Sequence, residues 1–131
     1  MIGIREQLVE HGQRLSYMLY EAGAPIGTGT DFAGATIAPG FSLREEIRLL
    51  AEAGIPNHAA IWAAVRGPGE SVTNDPLIGR VAPGAPADLV LLREDPFEDV
   101  DAVSAIEAVV LRGRLIERAE LDRTLEDLSN R

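Results

Sequence analysis

The first half of the chain carries the hydrophobic spacing of helices. Over residues 4–22 the apolar positions recur at intervals of three and four, which predicts a helix with one apolar face. That face comprises Leu8, Leu15, Met18, Leu19 and Ala22. Gly23 suits the left-handed position that follows a helix end, and Pro25 cannot continue a helix, so we expect the helix to end here.

A short stretch of small and apolar residues follows and ends in a carboxylate. Ile26–Thr30 shows no alternation of polar and apolar residues, which is typical of a parallel strand buried on both faces, although its glycines lower the strand propensity. We predict a buried strand at Ile26–Thr30 with Asp31 at its tip. Aspartate is also a common turn-forming residue, so a purely structural role for Asp31 is the alternative.

Two further helices are predicted after a glycine-rich loop at residues 32–41. Ser42 and Glu45 have the spacing of a capping box, which predicts a helix from Ser42 to about Ala53. Pro56 favours the start of a second helix, which Gly67-Pro68-Gly69 ends. The predicted inner faces are Leu43, Ile47, Leu50 and Ala51 on the first helix and Ala60, Ile61, Ala64 and Val65 on the second.

From Leu77 onwards the pattern changes to short strands and tight turns. Apolar runs bounded by turn residues predict a sheet, and the spacing of the last leucines predicts a terminal helix. In order, the predicted elements are a strand at Leu77–Val81, a buried strand at Ala87–Leu92, a turn at Asp95-Pro96, a hairpin of Ile106–Leu111 and Leu115–Glu117 joined by Arg112-Gly113, and a helix carrying Leu121, Leu125 and Leu128.

Composition narrows the class of protein. The 131 residues, 46% of them apolar, are enough for an ordinary core. The net charge of −9 opposes binding to nucleic acid or to an anionic membrane, which both need basic surface. There is no cysteine, no apolar run near the roughly 20 residues of a membrane span, and no signal-peptide pattern at the start, so a cytoplasmic location is expected.

Seven short motifs follow one another in a recognisable order. They are Gly29-Thr30-Asp31, the loop to Pro39-Gly40, Ser42-Leu43-Arg44-Glu45-Glu46, Ala53-Gly54-Ile55-Pro56, Ile78-Gly79-Arg80-Val81-Ala82-Pro83-Gly84, Ala87-Asp88-Leu89-Val90-Leu91-Leu92 and Val109-Val110-Leu111-Arg112-Gly113-Arg114. Together they resemble the C-terminal end of a metal-dependent amidohydrolase, especially of the imidazolonepropionase and prolidase-like branch. The resemblance covers roughly residues 15–117.

The resemblance implies an α/β fold. Members of this family are (β/α)8 barrels, with the active site at the C-terminal mouth of the barrel, and carry a small β-sandwich built from both chain ends. By this match, residues 1–76 are the C-terminal end of the barrel, with Ile26–Thr30 as its eighth strand and 42–72 as its closing helices. Residues 77–131 are then the C-terminal part of the composite sandwich with a terminal helix. The expected structure is an incomplete, truncated barrel.

The same resemblance implies hydrolysis of amide or other C–N bonds in the complete enzyme. It assigns Asp31 as metal ligand and proton shuttle, with a divalent metal, zinc first, and a small-molecule amide or cyclic amide as substrate. A bound metal lowers the pKa of its water towards about 7. An aspartate beside that water can take its proton and hand it to the leaving amine.

The family's other metal ligands have no counterpart here. A His-x-His on the first strand, a mid-barrel lysine or glutamate and two later histidines are missing, and the histidines present are His11 and His58. Since a catalytic zinc site uses at least three protein ligands, we expect this chain alone to bind no catalytic metal and to show little hydrolysis. Whether the chain is itself an enzyme stays open.

Two functions therefore remain. In the first, the chain is a piece of a hydrolase whose other strands lie on a missing segment or on another chain. In the second, it is a non-catalytic remnant that serves as a structural or self-association module, because unpaired strand edges at Ile26–Thr30 favour a homo-oligomer. Outside Asp31 we expect ordinary roles: surface histidines, Asp88 holding backbone amides, a solvated acidic loop at 94–99, and Trp62 in a core or an interface.

Overall fold

The computed structural model describes residues 3–31, 40–67, 69–73 and 75–130. The chain forms two compact units, Met1–Arg80 and Val81–Arg131, in a mixed α/β arrangement with one small antiparallel sheet among the described residues. The first unit contains α1 (Ile4–Glu21), α2 (Phe41–Glu52), α3 (Asn57–Val65) and a π-helical turn (Gly69–Thr73). The second contains β1 (Leu89–Leu92), a 3-10 helix (Val100–Ser104), β2 (Ile106–Leu111), β3 (Arg114–Glu117) and α4 (Arg118–Ser129).

Helix α1 forms and ends where the sequence predicts, but its apolar face is not the face that packs. Gly23 takes the left-handed conformation after the helix, with φ +75°. The half-buried side carries Gln13, whose amide donates to the carbonyl of Leu49 in α2 at 3.2 Å. Leu15 and Met18 on the predicted inner face are each 58% exposed. Periodicity identifies an apolar face, whereas burial requires another element to cover it.

Helix α2 begins one residue earlier than predicted. Gly40, with φ +78°, is the residue at its N-terminal cap, and the helix starts at Phe41. Ser42 therefore lies inside the first turn, so the predicted capping box, which needs the serine outside the helix, is wrong. The other end agrees with the prediction, because Gly54 stops the chain in a left-handed conformation with φ +100°.

The core of the first unit is small and lies between α2 and α3. It consists of Ile47, Leu50, Ile55, Ala60 and Ala63, all of them buried. Pro56 directly precedes α3, and the buried residues of that helix are the alanines Ala60 and Ala63. The predicted inner faces are confirmed at Ile47, Leu50 and Ala60, which are buried. They are wrong at Leu43 and Val65, which are exposed.

The predicted strand at Ile26–Thr30 is not a strand. The segment is irregular, and its residues alternate between half-buried and exposed, so burial on both faces is also wrong. Its backbone is held by a hydrogen bond from the Thr28 amide to the carbonyl of Ala63 at 3.2 Å. A strand needs a neighbouring strand to complete its hydrogen-bond ladder, and the part of the chain that the structure describes places none beside this segment.

The predicted strand at Leu77–Val81 is likewise replaced by a turn. Asp75 organises it: the side chain accepts from the Leu77 amide at 2.9 Å, and the Asp75 carbonyl accepts from the Ile78 amide at 3.3 Å. Gly79 has φ +70°. A side-chain turn of this kind supplies hydrogen bonds locally and so competes with strand formation.

The second unit is an antiparallel sheet of order β1-β2-β3. Arg112 and Gly113 join β2 to β3 with φ +51° and +80°, the two positive values of the hairpin turn that the sequence predicts. Helix α4, also predicted, packs on β2 and β3. Strand β1 is shorter than predicted and is not buried, because Val90 is 58% exposed.

The turn at Asp95-Pro96 is present as predicted. The Asp95 side chain accepts from the Phe97 amide at 2.8 Å. The 3-10 helix that follows was not expected; Asp99 caps it by accepting from the Asp101 amide at 3.0 Å. None of the described helices is long and apolar enough to cross a bilayer.

Candidate functional site around Asp31

Asp31 stands at the end of the irregular segment, with an exposed side chain. Its backbone φ is +45°, in the left-handed region that residues other than glycine seldom adopt. Aspartate tolerates this conformation better than most residues because its short polar side chain can bond locally. The loop that follows in the family motif, up to Pro39, lies outside the described residues.

Three contacts hold the segment that precedes Asp31. The Thr28 amide donates to Ala63 of α3, as described above, and the Gly29 amide donates to Oε1 of Glu46 in α2 at 2.9 Å. Gly67 lies so close to the segment that a Cβ on it would be 3.1 Å from the Cα of Gly27. The segment is thus fixed against both helices of the core although it forms no sheet.

Glu46 has a second feature that sequence reasoning did not find. Its other carboxylate oxygen, Oε2, is buried and has no hydrogen-bond partner in the described part of the chain. The available signal was the position of Glu46, one turn before Leu50 on the inner side of α2. Its contact with Gly29 could not be read from the sequence, because 17 residues separate the two and only packing brings them together.

The histidines do not join Asp31. His11 lies on α1, with Nδ1 3.2 Å from the carbonyl oxygen of Gln7, and its side chain is exposed. His58 is exposed on α3 and meets the ring of Trp62 edge to face at 5.3 Å. The prediction that both are surface residues is confirmed.

The described residues do not fit a catalytic metal. Within residues 3–31, 40–67, 69–73 and 75–130 there is no group of three or more His, Cys, Asp or Glu side chains that could hold an ion. Asp31 is a suitable oxygen ligand in kind, but one carboxylate does not make a site.

Other residues singled out from the sequence have structural roles. Oδ1 of Asp88 accepts from the amide of Arg112 at 2.6 Å, so this side chain ties the start of β1 to the hairpin turn, as predicted. Trp62 is 43% exposed and carries the guanidinium of Arg66 4.4 Å from its ring centroid. Trp62 is therefore not a core residue; a role in an interface stays a prediction.

Comparison with known proteins identifies the family. The model of the amidohydrolase family matches residues 4–116. The chain belongs to the amidohydrolase family. This family is generally metal-dependent and its members are hydrolases. Comparison with curated proteins finds no match.

Solved amidohydrolase structures resemble the chain over most of its length. A Xaa-Pro dipeptidase with methionine bound in its active site has a TM-score of 0.70 and 26% identity over 80% of this chain. A prolidase complexed with N-methylphosphonate-L-proline has a TM-score of 0.68 and 32% identity over 82%. A molinate hydrolase has a TM-score of 0.66 and 25% identity over 77%. The amidohydrolase chain spans about a quarter of each relative, 25%, 26% and 25% respectively.

Proposed function

We propose that this chain is the C-terminal part of a metal-dependent amidohydrolase that cleaves an amide or other C–N bond in a small molecule. The observation that carries the proposal is the family match over residues 4–116, which includes Asp31 and the helices that hold its segment. In this proposal Ile26–Thr30 occupies the place of the last barrel strand, α2 and α3 close the barrel, and β1 to β3 belong to the composite sandwich. The similar dipeptidase and prolidase favour a substrate with an amide bond.

Asp31 is the residue that we propose for the chemistry. It is an exposed carboxylate at the end of an anchored segment, and a carboxylate in such a place can take a proton from water and pass it to a leaving amine. The described residues bring no further ligands to Asp31, so the others must come from another segment or another chain. We derive no metal-dependent step from this chain alone.

Metal content per chain tests this proposal. Protein purified without chelator is analysed for its elements, as the parent and as Asp31→Ala, with Asp127→Ala on α4 as the matched control. Near-stoichiometric zinc, manganese or iron that is lost only in Asp31→Ala supports a site assembled with Asp31. Absence of metal in a folded parent, or metal that survives Asp31→Ala, contradicts a site assembled on Asp31 between copies of this chain, and leaves a site completed by another segment as the form of the proposal.

A second function is favoured by a different observation. Helix α1 presents the apolar side chains of Leu8, Leu15 and Met18 outward, between 58% and 67% exposed. Large apolar side chains that share one exposed helix face can serve as an interaction surface. A non-catalytic structural module that associates with itself through this face is therefore the alternative.

A further inference from the structure

We propose that Glu46 is a positioning residue for Asp31, acting through the backbone of Gly29. The inference rests on the proposed function, because only a catalytic role of Asp31 gives its position a purpose. Oε1 of Glu46 accepts the Gly29 amide at 2.9 Å, two residues before Asp31. A carboxylate oxygen is a stronger hydrogen-bond acceptor than a neutral carbonyl oxygen, and this bond ties the exposed end of the segment to α2.

The orientation of Glu46 differs from that of the other acidic residues of α2. Glu45 and Glu52 both pair with Arg48 on the exposed side of the helix. Glu46 turns instead towards the segment, which places its Oε2 in a buried position without a hydrogen-bond partner among the described residues. Burying a carboxylate oxygen in this way is unfavourable, and a group kept in such a position calls for a specific role.

Asp31 needs such support. A left-handed backbone at a non-glycine residue is unfavourable and persists only when the surrounding structure holds it. The Thr28 amide is bonded to α3 and the Gly29 amide to α2. The backbone just before Thr30 and Asp31 is therefore attached to two different helices. Of these two hydrogen bonds, the one to Glu46 is made by a side chain, so a substitution can remove it.

Amide exchange in the full chain tests the inference. We expect Glu46→Ala to raise the exchange rate of the Gly29 amide, measured by NMR, about tenfold or more, because its acceptor is lost. The coupling between the amide and α protons of Asp31, which reports φ, should shift away from its left-handed value. Glu46→Gln keeps a neutral acceptor oxygen at the same reach and should restore most of both changes, whereas Glu46→Asp is one methylene too short to do so.

Glu45→Ala is the matched control, since it removes a neighbouring carboxylate from the same helix without touching the segment. It should leave Gly29 exchange and the Asp31 coupling at the parent values. A general loss of α2 stability would instead raise exchange at the Ile55 amide, which bonds to Leu50, in parallel with Gly29.

The outcomes separate this inference from the proposed function. Unchanged Gly29 exchange in Glu46→Ala, or failure of Glu46→Gln to restore it, overturns the positioning role whatever the metal content. Suppose instead that exchange and the Asp31 coupling change in Glu46→Ala, while the parent binds metal that Asp31→Ala retains. The contact between Glu46 and Gly29 is then supported, and the catalytic role of Asp31 is overturned.

Discussion

Gly79 occupies a position where the structure requires glycine. Its φ is +70°, and a Cβ built on it would overlap the carbonyl oxygen of Val65, so both conformation and space require glycine. We expect Gly79→Ala to lower the free energy of unfolding by about 2–4 kcal/mol, combining a left-handed penalty with overpacking. Urea denaturation of the parent and the variant measures this loss.

Gly23→Ala is the control for Gly79, because it has a similar φ of +75° but open space around the added methyl group. It should cost only the backbone penalty of about 1–2 kcal/mol. Equal losses for the two variants would show that the contact between Gly79 and Val65 does not form.

Local chemistry explains which residues of the site could be predicted. Asp31 was chosen for its place after the segment Ile26–Thr30 and for the family motif that contains it, and its role in a site stays a prediction. Asp88 was correctly assigned to backbone amides, because an aspartate at a strand start has amides within reach. The contact between Glu46 and Gly29 could not be predicted, because the two residues are 17 positions apart. Helix packing brings them together, and no local sequence rule describes it.

At the scale of elements, α4 carries an ion pair whose effect depends on pH. Asp122 accepts a hydrogen bond from Arg118 one turn earlier, which holds the pKa of Asp122 below its ordinary value. A carboxylate with a lowered folded-state pKa contributes stability above its unfolded pKa, and this contribution is lost as pH falls through the folded value. We therefore expect α4 to weaken below about pH 4, and only modestly, because the pair is exposed.

The variant Asp122→Asn tests this pH dependence. Its Tm at low salt should lie below that of the parent at pH 6 and approach it as the pH falls below about 4. Asp127→Asn removes a carboxylate from the last turn of the same helix, where a negative charge is unfavourable, and is the control. Its Tm at pH 6 should not lie below that of the parent. A constant difference in Tm between parent and Asp122→Asn over this range would contradict the contribution of the pair.

The elements also show why helices and the hairpin were predicted and two strands were not. The hairpin turn is encoded locally by Arg112-Gly113, and the end of α1 is encoded locally by Gly23, so both could be predicted from neighbouring residues. Ile26–Thr30 and Leu77–Val81 have strand-like composition, but a strand exists only when another strand lies beside it. Local composition does not show whether such a neighbouring strand exists. At Leu77 the hydrogen bond to the Asp75 side chain forms a turn in place of the predicted strand.

At the scale of the whole molecule, the exposed face of α1 distinguishes the two candidate functions. This face is defined by Leu8, Leu15, Met18 and Leu19, and all four side chains are more than 40% exposed. Burying apolar surface away from water contributes a favourable free energy of roughly 25 cal/mol for each Å². A chain that acts as a self-association module should use this face, whereas a chain that completes a barrel with another segment should bury it only when that segment is present.

For the self-association module we expect the purified chain to form a discrete homo-oligomer, measured by light scattering coupled to size exclusion. This oligomer should dissociate when Leu15→Gln and Met18→Gln are combined. Glu10→Gln with Glu21→Gln changes exposed residues of the same helix outside the apolar face and should leave the oligomer intact. A monomeric parent, or an oligomer that survives the double apolar variant, would contradict association through α1. An oligomer that depends on α1 and contains no metal would favour the structural module. In that case a second copy of the chain buries the apolar face, and no catalytic site is assembled.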